Sequence, residues 1–141
     1  MKHQKWPKRD PIKNYFPVPN EVFLLGLSPG ELAVYSYLLF CEDRRTYQCW
    51  PSFKTIGKAT GMSINTVRKY VRILEERGLI TTEPTSITTK DGQKRNGNLL
   101  FTIRPIQEAV EQFYQQQLEN ISLDIQRKKA SGTKARQERP A

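Results

Sequence analysis

The stretch GKATGMSINTVRKYVRILEERGLI, residues 57–80, decides how this chain folds. Gly61 suits the left-handed backbone position that closes a helix. Ser63 then serves as the N-cap of the next helix, and Gly78 after Glu76-Arg77 ends it. Within that helix Val67, Tyr70, Val71 and Leu74 recur at i, i+3, i+4 and i+7, the spacing of one buried stripe. On another side Asn65, Arg68, Lys69 and Arg72 share an arc of about 100°, with only Ile64 at its margin.

Working upstream, SFKTIGKAT carries Phe53, Ile56, Gly57 and Ala59 on an amphipathic pattern, with Ser52 as N-cap after Trp50-Pro51. Before it, CEDRRTYQCWPS is polar and then aromatic, which predicts a connection. LSPGELAVYSYLLFCED begins with a capping box, Ser28 and Glu31, and has Pro29 at the first helical position. That first helix is apolar almost all round, from Leu32 and Val34 through Leu39 and Phe40, as a central helix should be.

Downstream the period changes from about 3.6 to about 2. LITTE and LLFTIRP alternate β-branched or aromatic residues, and KDGQKRNGN between them is rich in turn formers, so a hairpin is expected. Pro105 opens a final helix with no breaker before Gly132. Ile106, Val110 and Phe113 make one stripe on it; Tyr114, Leu118, Ile121 and Ile125 make another. The expected organisation is a flexible basic arm over 1–15, a domain over 16–104, a helix over 105–130 and a disordered basic tail over 131–141.

Charge sets the class of partner. Of 141 residues, 23 are Lys or Arg and 14 are Asp or Glu, a net charge of +9 that attracts polyanions, nucleic acid foremost. No run approaches the ~18 apolar residues needed to span a bilayer, and the charged N-terminus MKHQKWPKRDPIKNY has no apolar run behind it. A cytoplasmic protein without a membrane partner is expected. Cys41 and Cys49 are read as two reduced thiols, since zinc needs three or four ligands and the sole histidine, His3, lies in the arm. Carboxylates and histidine are likewise not clustered as a nuclease would need, so neither an enzyme nor a cofactor is expected.

Two short helices, a glycine turn and a hairpin in this order predict a mainly α winged helix-turn-helix: a three-helix core, a small β-hairpin wing and an additional C-terminal helix. A helix enters the major groove, where arginine bonds bidentately to guanine and asparagine to adenine. Asn65 and Arg68 are the leading candidate base contacts, with Lys69 and Arg72 beside them. Ser63 and Thr66 at the helix start, and Ser52, Lys54 and Thr55 on the preceding helix, are candidate phosphate contacts. Lys90, Lys94 and Arg95 lie at the hairpin tip, and Lys2, Lys5, Lys8, Arg9 and Lys13 line the arm. The expected partner is double-stranded DNA, with a homodimer burying the stripe from Tyr114 to Ile125. The rival expectation is a protein-interaction winged helix in a replisome or primosome, whose basic face is incidental.

From Phe16 to about Arg104 the chain resembles winged helix-turn-helix proteins of Gram-positive bacteria and their mobile elements. FPVPNEVF, WPS before the second helix and GMSINTV…LEERGLI are similar to the N-terminal domain of plasmid replication initiator A proteins. The resemblance implies a three-helix core with a β-wing, and DNA-facing positions at Ser63, Asn65, Thr66, Arg68 and Lys69. It also implies transcriptional regulation or plasmid and mobile-element replication. Those initiators carry a further domain after the winged helix, where this chain has a polar helix and a basic tail.

Overall fold

A computed structural model describes residues 14–137. The arm lysines and arginine at Lys2, Lys5, Lys8, Arg9 and Lys13 lie outside the described residues, as do residues 138–141. A 3-10 helix, Asn20–Leu24, follows Pro19 and buries Val22. Helix α1, Pro29–Cys41, starts as its sequence dictates: the Ser28 hydroxyl accepts from the Glu31 N–H, and the Glu31 carboxylate accepts from the Ser28 N–H. It buries Val34, Tyr35, Leu38 and Leu39.

Helices α2, Phe53–Thr60, and α3, Ile64–Glu76, pack against α1. From α3 come Val67, Val71 and Leu74, all buried, while Tyr70 is half-buried. Tyr70 lies against Gly30, where a Cβ would sit 2.3 Å from the Tyr70 ring. At the end of α3 the Leu79 N–H donates to the Leu74 carbonyl at 3.1 Å, and Gly78 takes φ 77°, so the chain reverses into the sheet. Arg77 is tied back to α1: its Nε donates to Glu31 Oε1 at 3.0 Å and one terminal nitrogen donates to the Leu25 carbonyl at 2.8 Å.

Strands β1, Gln48–Cys49, β2, Ile80–Glu83, and β5, Leu100–Ile103, form a three-stranded antiparallel sheet in the order β1-β5-β2. Ile80 faces Ile103 and Thr82 faces Phe101 across β2 and β5. Phe101, Ile103, Leu79 and Ile80 close the core beneath the helices. The β1 strand falls in the segment read from sequence as a connection only. Two residues are too few to carry a period-2 signal, and it is the open edge of β5 that recruits them, Gln48 opposite Thr102 and Cys49 opposite Phe101.

The expected hairpin is two ribbons rather than one. Beyond Pro84 and Gly97 the chain forms a second antiparallel pair, β3, Ser86–Thr88, with β4, Lys94–Asn96. Its turn closes with the Thr89 N–H on the Gln93 carbonyl at 2.8 Å, and Gly92 takes φ 77°.

Helix α4, Ile106–Gln137, passes through Gly132, although the sequence pattern sets its end at 130. An interior glycine costs about 1 kcal/mol relative to alanine, yet it stops a helix only by turning left-handed. Gly132 is not among the positive-φ residues. The first stripe of α4 docks as expected, with Ile106 and Ala109 buried and Val110 and Phe113 packed on the core. Gln112 secures it by donating to the Glu76 carbonyl at 2.7 Å.

Candidate nucleic-acid interface

The geometry of the α2–α3 corner follows from two copies of one short device. The Ser52 hydroxyl accepts from the Thr55 N–H at 3.0 Å, and the Ser63 hydroxyl accepts from the Thr66 N–H at 3.2 Å. Each serine oxygen also shares a hydrogen bond with the hydroxyl of its threonine, at 2.8 Å and 2.9 Å. Each pair therefore keeps one hydroxyl hydrogen for another acceptor. The sequence pattern marks these four residues as phosphate contacts; structurally they are first of all the caps that start α2 and α3.

Between the helices, Gly61 takes φ 74° and the Met62 N–H donates to the Gly57 carbonyl at 2.9 Å. A Cβ on Gly57 would meet the Met62 carbonyl oxygen at 2.5 Å, so the tight corner depends on a bare α-carbon there. The sequence pattern points to Gly61 as the turn glycine; the steric need at Gly57 emerges only when the two segments are brought together.

Asn65, Arg68, Lys69 and Arg72 are all exposed on the face of α3 opposite Val67, Val71 and Leu74. Within this arc Arg68 is held in place. A terminal nitrogen donates to Asn65 Oδ1 at 3.3 Å, and its guanidinium carbon stands 5.8 Å from the centre of the Phe53 ring on α2. Lys69 has its ammonium 5.6 Å from the Tyr70 ring centre. Lys54 and Thr55 are exposed on the first turn of α2. Phe53 is the residue that sequence reasoning missed: its spacing marks it as part of an apolar face, and no local pattern reports that its ring supports an arginine from the next helix.

The hairpin cations do not form one group. Lys90 is in the turn, whereas Lys94 and Arg95 are consecutive on β4, opposite Thr88 and Ile87. Consecutive strand residues point to opposite faces, so a single surface can use only one of Lys94 and Arg95 together with Lys90. The base of the ribbon is secured by Asn98, which donates to the Trp50 carbonyl at 3.2 Å beside the start of α2.

Away from this face, Cys49 is buried and its thiol lies 3.7 Å from the Leu38 carbonyl; burial pushes its pKa up to about 12, so it stays a protonated thiol. Among the described residues no helix is long and apolar enough to cross a membrane. On α4, Tyr114, Leu118, Ile121 and Ile125 are each half or more exposed, or nearly so at 49% for Ile125.

Residues 25–80 match the family model described as a helix-turn-helix domain. Among solved structures, one described as a possible transcriptional regulator from Methanosarcina mazei Go1 is 17% identical, covers 73% of this chain and 80% of its own, and has a TM-score of 0.48. A MarR-like transcriptional regulator from Thermotoga maritima is also 17% identical, with coverage of 89% and 86% and a TM-score of 0.41. MepR, a transcription regulator of the Staphylococcus aureus multidrug efflux pump MepA, is 16% identical, with coverage of 82% and 80% and a TM-score of 0.38. No curated protein matches the chain. The matched segment runs from the end of the 3-10 helix through α3 into β2, and with the sheet and ribbon behind it the fold is a mainly α winged helix-turn-helix with an added C-terminal helix.

Proposed function

We propose that the protein is a sequence-specific double-stranded DNA-binding protein that regulates transcription, with α3 read into the major groove. The observation that carries this is the exposed arc of Asn65, Arg68, Lys69 and Arg72, opposite a wholly apolar buried stripe and with Arg68 already positioned by Asn65 and Phe53. Arg68 and Asn65 supply groups that discriminate guanine and adenine edges. Lys69, Arg72 and Lys54 add phosphate contacts, and the hydroxyl hydrogens left on the Ser52–Thr55 and Ser63–Thr66 pairs add weaker ones. Lys90 with Lys94 or Arg95 brings the ribbon to the flanking backbone. Initiation of replication rests on the sequence resemblance alone.

The test is fluorescence anisotropy of labelled duplexes against salt, after selecting bound sequences from a random pool. Affinity should fall by about 0.9 log units per phosphate contact for each tenfold rise in salt, and the pool should converge on one motif. Retention that ignores salt, with no motif enriched, would instead favour a protein-interaction module.

The same proposal includes pairing of two copies through α4. Tyr114, Leu118, Ile121 and Ile125 are spaced 4, 3 and 4 apart, a two-heptad seam left open on the single chain. Charge along the helix is divided, with Glu108, Glu111, Glu119 and Asp124 before the basic run that starts at Arg127-Lys128. Two copies laid antiparallel about the middle of the seam bring Glu111 of one near Lys128 of the other, so a second copy fits the surface in charge as well as apolarity. A paired protein presents two α3 helices to DNA, and the selected motif should then be an inverted repeat.

A further inference from the structure

We infer that Trp50 is a further DNA contact, its ring packed on the deoxyribose next to the phosphate at the Ser52–Thr55 pair and its indole N–H donated to the same strand, a role that rests on the DNA binding proposed for this face. Trp50 is 58% exposed, although Cys49 beside it is buried. Its indole N–H has no partner among the described residues. Folded domains mostly cover so large a ring. Tryptophan joins an apolar body to a single donor, the combination that recurs where one surface meets another.

The exposed ring is carried on a fixed backbone. Before it, Cys49 pairs with Phe101 across β1 and β5, and the Trp50 carbonyl itself accepts from Asn98 at 3.2 Å at the base of the ribbon. After it, Pro51 restricts φ and Ser52 caps α2. Only the side chain therefore has to be ordered on binding. Two residues before that cap, Trp50 stands beside the first turn of α2. There the Ser52 and Thr55 hydroxyls keep one hydrogen between them for an outside acceptor, and Lys54 is exposed.

The surroundings decide which part of a strand meets the ring. Trp50, Pro51 and Thr55 share an open cleft of about 390 Å³ with Tyr37, Cys41 and Asp43. Among the described residues Asp43 is the one charged group in that lining, and its carboxylate repels phosphate. Gln48, also in the lining, already donates its amide to Thr102 Oγ1 at 3.4 Å. A phosphate therefore goes to the Thr55 and Lys54 side, and the uncharged sugar is what the cleft and the Trp50 face accept. Such a contact fixes the register of the duplex without reading its sequence.

The experiment uses the full chain carrying Trp6→Phe, which leaves Trp50 as the one indole. Titration with a duplex selected from a random pool, and with an unrelated duplex, should change Trp50 emission saturably in both cases. In the same background Trp50→Phe removes the N–H and should weaken both duplexes by a common factor of about tenfold, read by anisotropy of labelled DNA. Trp50→Ala removes the ring as well and should weaken both further. Tryptophan carries no charge, so the salt slope, which counts cationic contacts, should stay that of the parent. The urea midpoint should also hold, since the ring is exposed; if Trp50→Ala fails to fold, Trp50→Phe, which keeps a ring, carries the test. The role of Trp50 is overturned if its emission is unchanged at saturation, if the folded variants bind both duplexes like the parent, if only the selected duplex is weakened, or if the salt slope falls. A parent that binds no duplex would overturn DNA binding and the Trp50 contact together, whereas variants that match a DNA-binding parent overturn the Trp50 contact alone.

Discussion

Replacing Glu31 with glutamine tests the joint that aims α3. The Glu31 side chain is 5% exposed and serves two donors with two oxygens: Oε2 takes the Ser28 N–H and Oε1 takes Arg77 Nε at 3.0 Å. An amide has one oxygen, so in Glu31→Gln one donor meets an NH₂ group. A hydrogen bond to a charged group contributes about 1.5–3 kcal/mol. The Arg77 side chain is 33% exposed, and solvent screening reduces its share of the pairing. A loss of about 1–2 kcal/mol at pH 7 follows. Burial alone would raise the Glu31 pKa, but the bonds from Ser28 and the charge of Arg77 outweigh it and hold the carboxyl below its ordinary value. A depressed native pKa gives stability that is present above the unfolded pKa and is lost as pH falls through the native one. Urea unfolding followed by circular dichroism should therefore show the deficit in full at pH 7 and a much smaller one at about pH 3. Equal stability at pH 7, or a deficit unchanged at pH 3, would refute the argument that this carboxylate joins α1 to α3.

Gly57→Ala should destabilise the fold by about 1–3 kcal/mol in urea unfolding, because its Cβ would crowd the Met62 carbonyl oxygen at 2.5 Å and backbone cannot yield as a side chain can. On a selected duplex Arg68→Ala should cost about 1–3 kcal/mol and relax specificity at one position, whereas Lys90→Ala, at the ribbon turn, should weaken all duplexes alike and lower the salt slope by about 1; anisotropy separates the two. If Arg68→Ala leaves every affinity unchanged, α3 is not the reading helix. Ile121→Asp should convert a dimer to a monomer in sedimentation equilibrium without lowering the unfolding midpoint of the core, since Ile121 is 53% exposed on the single chain; a wild-type monomer at high concentration would reject pairing.

The elements of this protein that were legible in its sequence are those with local causes. Ser28 and Glu31, Ser52, Ser63, Gly61 and Gly78 start and stop helices through bonds or dihedrals spanning at most five residues, and α1, α2 and α3 start, and α2 and α3 stop, where they predict. The stripe of Val67, Val71 and Leu74 needed only the 3.6-residue period, and its complement, the exposed arc from Asn65 to Arg72, came with it. What tertiary structure alone decided spans elements far apart in the chain. The β1 strand exists because β5 offers it an edge, and the wing divides where the register slips by one residue, from Glu83 opposite Leu100 to Ser86 opposite Asn96. Arg77, in sequence merely the penultimate residue of a helix end, becomes the partner of a carboxylate 46 residues away, and Phe53 becomes the support of Arg68. No periodicity can encode such pairings, since they depend on how helices cross rather than on how any one of them is wound. The unpartnered Tyr35 hydroxyl and Glu42 oxygen belong to the same class: a buried polar atom is known to lack a partner only after every neighbour has taken its place.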